Sequence, residues 1–198
     1  VIAPLLAAGE TQIVYRRVFK SSFPEFIEIR VSEAGSCSFE IRQLDENPDP
    51  VSGEISAPLR AKIFELAGQL GNFRGVELDV RRRIANLGQK TFRYEAGDQI
   101  NEVSFNYTLD ARANQLMQIF EGLARQQEHL SKLQQRMKHD RLGVNDARMH
   151  LESDVNRRIL PEPYRLLPTL EKIAGDPRFV EIARQRARTL AERIRSAS

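Results

Sequence analysis

Residues 110–139 read DARANQLMQIFEGLARQQEHLSKLQQRMKH, with no proline and one glycine, Gly122. Leu109, Leu116, Leu123, Leu130 and Met137 fall seven residues apart along this stretch. The pattern predicts one long helix over about 109–138 with an apolar seam. Such a seam must be covered, either by the rest of the chain or by a second copy. With Leu116, Leu123, Leu130 and Met137 as d positions, the a positions are Arg112, Ile119, Gln126 and Leu133. Two of these are polar, which a dedicated coiled coil tolerates only sparingly. Phe120 widens the stripe beyond a narrow zipper, as in a helix packed on a core. A basic-zipper protein would carry a basic helix just before the heptads, whereas residues 98–110 are strand-like and acidic. The seam therefore reads as an internal spine joining the N-terminal half of the chain to the C-terminal helices.

The N-terminal half runs in period two. Ile13, Tyr15 and Phe19 alternate with Val14, Arg16 and Val18; Ile27, Ile29 and Val31 with Glu28 and Arg30; Cys37, Phe39 and Ile41 with Ser38, Glu40 and Arg42. Alternation of this kind marks antiparallel strands with one buried and one wet face. Cys37, the one cysteine, reads as a small buried residue and excludes an intrachain disulfide. The loop Asn47-Pro48-Asp49-Pro50 comes next, and Ser56-Ala57-Pro58 opens a helix carrying Ile63, Leu66, Ala67 and Leu70. Gly71-Asn72 is a helix stop. Phe92 with Tyr94, then Val103, Phe105 and Tyr107, mark two more strands. The turns Glu33-Ala34-Gly35-Ser36 and Glu95-Ala96-Gly97-Asp98 place a glycine where a hairpin needs positive φ. The first half thus reads β-β-β-α-β-β.

After the long helix, His139-Asp140-Arg141-Leu142-Gly143 reads as a turn. Asn145 or Asp146 then caps a helix bearing Ala147, Leu151, Val155 and Ile159. Pro161-Glu162-Pro163 breaks it. Helices from Tyr164 to Ala174 and from Asp176-Pro177 to about Arg195 complete the chain, the last with Phe179, Ile182, Ala183, Ala187, Leu190, Ala191 and Ile194 on one stripe. The expected fold is α+β: an antiparallel β-β-β-α-β-β sheet domain at 11–108 and a helical bundle at 109–198. Residues 1–10 form an apolar arm, or the remnant of an export signal, whose cleavage prefers small residues such as Ala7 and Gly9.

Leu166-Leu167-Pro168-Thr169-Leu170-Glu171-Lys172-Ile173-Ala174, continued by Asp176-Pro177-Arg178-Phe179 and Ala187-Arg188-Thr189-Leu190, resembles a HEAT-type helical hairpin. That resemblance implies a helix-on-helix surface used for protein contacts. The whole chain is similar to an uncharacterised bacterial family of exported proteins through Ser22-Phe23-Pro24-Glu25, Asn72-Phe73-Arg74-Gly75, Phe105-Asn106-Tyr107-Thr108, Asp140-Arg141-Leu142-Gly143 and Ile182-Ala183-Arg184. The resemblance implies export to the periplasm or cell surface, with the cytoplasm as the alternative, and brings no activity.

Composition, at 41% hydrophobic and 29% charged, suits a chain that buries a core and excludes global disorder. A net charge of +3 argues little for a polyanion partner. No stretch approaches the roughly 20 apolar residues of a membrane span. HExxH, CxxC, GxSxG and P-loop patterns are missing. His129 and His139 lie about 15 Å apart along one helix, too far to share an ion, and His150 has no tight ligand cluster around it. Gly68, Gly71 and Gly75 lie at and beyond the end of a helix rather than before one, so they suit a helix stop and turn and not a phosphate cradle. Carboxylate neighbours such as Asp45 with Glu46 and Glu152 with Asp154 are expected to be solvated, since the sequence gives no signal of the burial that separates pKa values. Asn106-Tyr107-Thr108 fits a glycosylation pattern, which a strand end with a helix-capping Thr108 explains more simply.

Arginine is the enriched polar type. Arg81-Arg82-Arg83 is a run, and Arg178, Arg184, Arg186, Arg188, Arg193 and Arg195 stud the last helical segment. Glu181 and Glu192 dilute the stripe, and no aromatics interleave with it, so nucleic acid is the less favoured partner. The candidate interaction surface is Arg178, Arg184, Arg188 and Arg195. No catalytic residue, metal ligand or cofactor site is assigned. The leading expectation is a non-enzymatic interaction or structural accessory protein that binds another protein or itself. The alternatives are a polyanion binder through those arginines and an enzyme with an unrecognised site.

Overall fold

A computed structural model describes residues 9–139 and 144–197, the side chains of 139 and 144–149 excepted. Most of the N-terminal arm, the turn at 140–143, the His139 side chain and the capping side chains of Asn145 and Asp146 lie outside the described residues. The fold is α+β, as the alternation and the later 3.6-residue period imply. The chain divides into two compact units after Ala124.

The first unit is built on a six-stranded antiparallel sheet. Its strands are β1 (Gln12–Val18), β2 (Phe26–Ser32), β3 (Ser36–Arg42), β4 (Val51–Glu54), β5 (Gln89–Ala96) and β6 (Gln99–Phe105), in the order β4-β3-β2-β1-β5-β6. The hairpin glycines behave as their turns require, with φ of 102° at Gly35 and 57° at Gly97. Strand β4 was not expected. Its sequence, VSGE, holds one large apolar residue, so it gives no alternation to read. It is a short, exposed edge strand, one way a sheet limits edge-to-edge pairing. Phe19 and Tyr107 fall beyond the strands assigned to them: β1 ends at Val18 and β6 at Phe105, and Tyr107 is 40% exposed.

One sheet face carries Ile13, Tyr15, Ile27, Ile29, Val31, Cys37, Phe39, Phe92 and Phe105, all buried. Helix α1 (Ala57–Gln69) contributes Ile63, Leu66 and Ala67 to the same core, capped by Ser56, whose hydroxyl accepts from the Leu59 amide at 3.3 Å. The opposite face is polar by the same alternation. Glu28 accepts from Arg16 at 2.6 Å and Arg30 at 2.8 Å, and Glu95 pairs with Arg93 at 2.8 Å. Arg16 and Glu28 face each other across β1 and β2, and a cross-strand pair of this kind stabilises the face by a few tenths of a kcal/mol, up to about 1.

Helix α2 (Ala111–His139) carries the seam. Its first turns belong to the sheet unit. Ala113, Leu116, Phe120, Leu123 and Ala124 are all buried in that core, and Phe120 stacks on Tyr15 at 5.2 Å between ring centroids. The change of period at 108/109 thus marks strand giving way to helix, while the packing boundary lies inside the helix. Leu109 does not belong to the seam: it precedes the helix and is 68% exposed. The cap is Asp110, not Thr108. The Asp110 carboxylate accepts from the amides of Arg112 at 2.8 Å and Ala113 at 3.2 Å, while the Thr108 hydroxyl accepts from the Asp110 amide at 3.2 Å. Hydrogen bonding from the Arg112 guanidinium, aided by these amides, holds the Asp110 carboxyl at about 2. Asp110→Ala is expected to lower stability by about 1 kcal/mol, the usual cost of a lost cap, measured by denaturant unfolding at neutral pH. Because the folded pKa lies below the unfolded one, this contribution is present above about pH 4 and is lost as pH falls towards 2.

The second unit joins the rest of α2 to α3 (Val144–Asn156), a 3-10 turn (Pro163–Leu166), α4 (Leu167–Gly175) and α5 (Glu181–Ala197). Leu133, Leu151, Leu166, Leu170, Ile173, Phe179, Leu190 and Ile194 form its core, with Leu130 and Met137 packed against it. Ile182, placed on the apolar stripe from sequence, is instead 55% exposed. The polar seam residue Gln126 is buried, and its carbonyl oxygen accepts from the Glu162 amide at 3.0 Å. It secures the Pro161-Glu162-Pro163 break from within the same chain. His129 is also buried and bonds Asp154 through Nε2 at 2.7 Å.

Candidate functional site: an arginine stripe on α5

Residues at 184, 188, 191 and 195 of a helix fall within about 60° of one another at 100° per residue. On α5 these are Arg184, Arg188, Ala191 and Arg195. All four line a shallow cavity of about 340 Å³ along the α4–α5 hairpin, together with Glu171, Ala174, Gly175 and Glu192. Three of the four arginines singled out from sequence are thereby brought to one place. Arg178 is not among them; it precedes α5 and pairs with Asp176 at 2.6 Å.

The C-terminal end of α4 explains much of the arrangement. Helix C-termini leave carbonyl groups unsatisfied and carry partial negative charge. The Ala174 carbonyl accepts from Arg184 Nε at 3.4 Å and from an Arg188 terminal nitrogen at 3.1 Å. Glu181 pairs with Arg184 at 2.9 Å and Arg188 at 3.3 Å, and Arg195 pairs with Glu171 across the hairpin. The guanidinium groups are held in place, and the surface they form alternates in sign. The spacing of these arginines was legible in the sequence. The common target of Arg184 and Arg188, one orphan helix end, was not, because it depends on where α4 stops.

The remaining sequence candidates are dispersed. Arg193 faces the other way and bonds Glu152 at 3.1 Å and Asn156 at 2.7 Å. In the Arg81-Arg82-Arg83 run, Arg81 pairs with Glu77 at 2.7 Å, and all three are exposed. His150 is exposed, and no group of three or more His, Cys, Asp or Glu side chains able to hold a metal occurs among the described residues. Gly71 and Gly75 adopt positive φ in the turn after α1. Three buried groups titrate away from their ordinary values. Burial, then Glu121, pushes the Tyr15 hydroxyl well up; burial pulls Lys90 down; burial, opposed by Asp154, pulls His129 down. None of the three lines the arginine cavity. No helix among the described residues is long and apolar enough to cross a membrane.

No protein-family model and no curated protein matches the chain. Among solved structures, the chain is similar to an SsgA-like sporulation-specific cell division protein from Thermobifida fusca YX-ER1 at 8% identity, over 78% of this chain and 99% of that one. The TM-score is 0.18, so the likeness carries no inference about fold or role.

Proposed function

We propose that the protein is a non-enzymatic interaction protein, a structural or accessory subunit, whose helical hairpin docks another protein or a second copy of this chain. The observation that carries this reading is the gathering of Arg184, Arg188 and Arg195 around one cavity with Glu171 and Glu192 among them. Arginine is enriched at protein interfaces, and fixed charges of both signs set partner orientation. Bonds to the Ala174 carbonyl hold two of the guanidinium groups, so less side-chain freedom is lost on docking. The resemblance of this helix pair to a HEAT-type hairpin supports the same reading. The resemblance to exported bacterial proteins supports a periplasmic or cell-surface location, which cell fractionation tests.

The polyanion alternative fares less well. Each of the four candidate arginines already has a carboxylate partner, Asp176, Glu181 or Glu171, that a phosphate would have to displace. It predicts binding to DNA or RNA that weakens steeply with salt; no shift at low salt dismisses it.

For the leading reading, affinity purification and light scattering are the tests. The wild type is expected to recover a stable partner or to self-associate. Arg195→Glu should lose that association with an unchanged circular dichroism spectrum, while Thr189→Glu, on the other side of α5, should keep it. A wild type that is strictly monomeric and recovers nothing ends the proposal.

A further inference from the structure

Helix α3 ends on a residue that its backbone disfavours. The Ile159 amide donates to the Asp154 carbonyl at 3.3 Å and the Arg158 amide to the Val155 carbonyl at 3.0 Å. This pair of bonds is the Schellman pattern, in which the residue at Arg158's position takes a left-handed conformation and is usually glycine. Arg158 has φ of 54°. An arginine there costs about 1 kcal/mol relative to glycine. Strained non-glycine residues of this kind concentrate where the side chain has work to do.

Arg158, an exposed residue, lines a cavity of about 440 Å³ whose other walls include Val155, Leu160, Pro161, Pro163, Ile194 and Ala197. That volume falls in the range of about 300–1,000 Å³ typical of small-molecule sites. Two polar groups complete the lining. The Tyr164 hydroxyl is already committed, donating to the Glu162 carboxylate at 2.9 Å. The Arg158 guanidinium has no hydrogen bond or ion pair among the described residues. An apolar cavity with one uncompensated cation is complementary to a ligand with an apolar body and one anionic head. A guanidinium presents parallel donors that match a carboxylate bidentately.

We propose that this cavity binds an apolar monocarboxylate, such as a medium-chain fatty acid, with the carboxylate on Arg158 and the chain against Val155, Pro161 and Pro163. The site shares no lining residue with the arginine cavity of the hairpin, so it stands or falls independently of the proposed docking function.

The test is calorimetric titration of the full chain with decanoate, below its micelle concentration, with decanol and acetate as comparisons. Decanoate should bind saturably at one site, decanol at least tenfold more weakly, and acetate not detectably. Arg158→Gly should weaken decanoate at least tenfold while raising the thermal midpoint, because glycine relieves the left-handed strain. Ala197→Trp, at an exposed position on the cavity wall, should abolish binding while leaving the fold intact. Absence of saturable decanoate binding overturns the proposal. So does equal affinity for decanol, or Arg158→Gly binding decanoate as the wild type does. An Arg158→Gly variant that melts lower than the wild type would give Arg158 a structural role and overturn it as well.

Discussion

Leu123→Asp is expected to abolish cooperative folding of the sheet unit. Leu123 is 2% exposed, in the same core as Leu116, Phe120 and Tyr15. Removing the bulk of a buried leucine costs about 2–5 kcal/mol. A carboxylate in its place adds several kcal/mol of desolvation, or a strongly raised pKa, with no paired cation provided. The sum approaches the whole stability of a domain, about 5–15 kcal/mol. Near- and far-ultraviolet circular dichroism with thermal melts reads the result. A variant that stays folded and merely loses an oligomer by light scattering would assign the seam to an interface between copies instead.

The second large effect is expected at Asp154. It is buried and bonds His129 at 2.7 Å and Arg125 at 3.4 Å. Asp154→Ala leaves the buried His129 ring N–H without that partner, and an unsatisfied buried donor of a neutral ring costs about 1–3 kcal/mol. The loss should appear as faster amide exchange in α3 and α5, with the sheet strands unaffected if the two units unfold separately. Acid should act on the same pair. Burial, opposed by Asp154, holds the His129 pKa below its usual value, so the unfolded chain takes up this proton first. The stability contributed by neutral His129 is therefore fully present above about pH 6.5 and is lost as pH falls through the folded pKa. A His129→Gln variant should be less stable at neutral pH but show a flatter acid limb in pH-dependent unfolding. An unchanged acid limb would assign the titration to another group.

The parts of the fold that were readable in sequence are those whose cause is local. Alternation in β1, β2 and β3 arises because each strand has one face on the core, and Ser56 with Pro58 announces the start of α1 through its own backbone needs. Strand β4 was missed because pairing with β3, not its own composition, makes it a strand. Leu109 joined the seven-residue register by coincidence of spacing, since Asp110 caps the helix one residue later. Gln126 looked like an argument against a zipper and turned out to hold the Glu162 turn, a partner 36 residues away. Ile182 lies about 120° round α5 from the centre of the Ala183, Ala187, Leu190, Ala191 and Ile194 stripe, so helix geometry itself leaves it exposed.

The candidate sites divide the same way. Arg184, Arg188 and Arg195 could be grouped from their spacing on one helix. Arg158 could not be found. The sequence signal for a helix end of its type is glycine, and an arginine in that place gives no sign of its left-handed backbone. Its cavity is assembled from α3, the 158–164 connection and α5, whose proximity is a property of packing.

The central claim is that the leucine seam of α2 is covered within its own chain, by the sheet core at Leu116, Phe120 and Leu123 and by the helical core at Leu133. Hydrogen exchange along α2, monitored over a wide range of protein concentration, tests it most directly. Amides of residues 113–124 and 126–133 should be strongly protected, and that protection should not change on dilution. Protection that falls as the protein is diluted would show that a second copy covers the seam and would contradict the account.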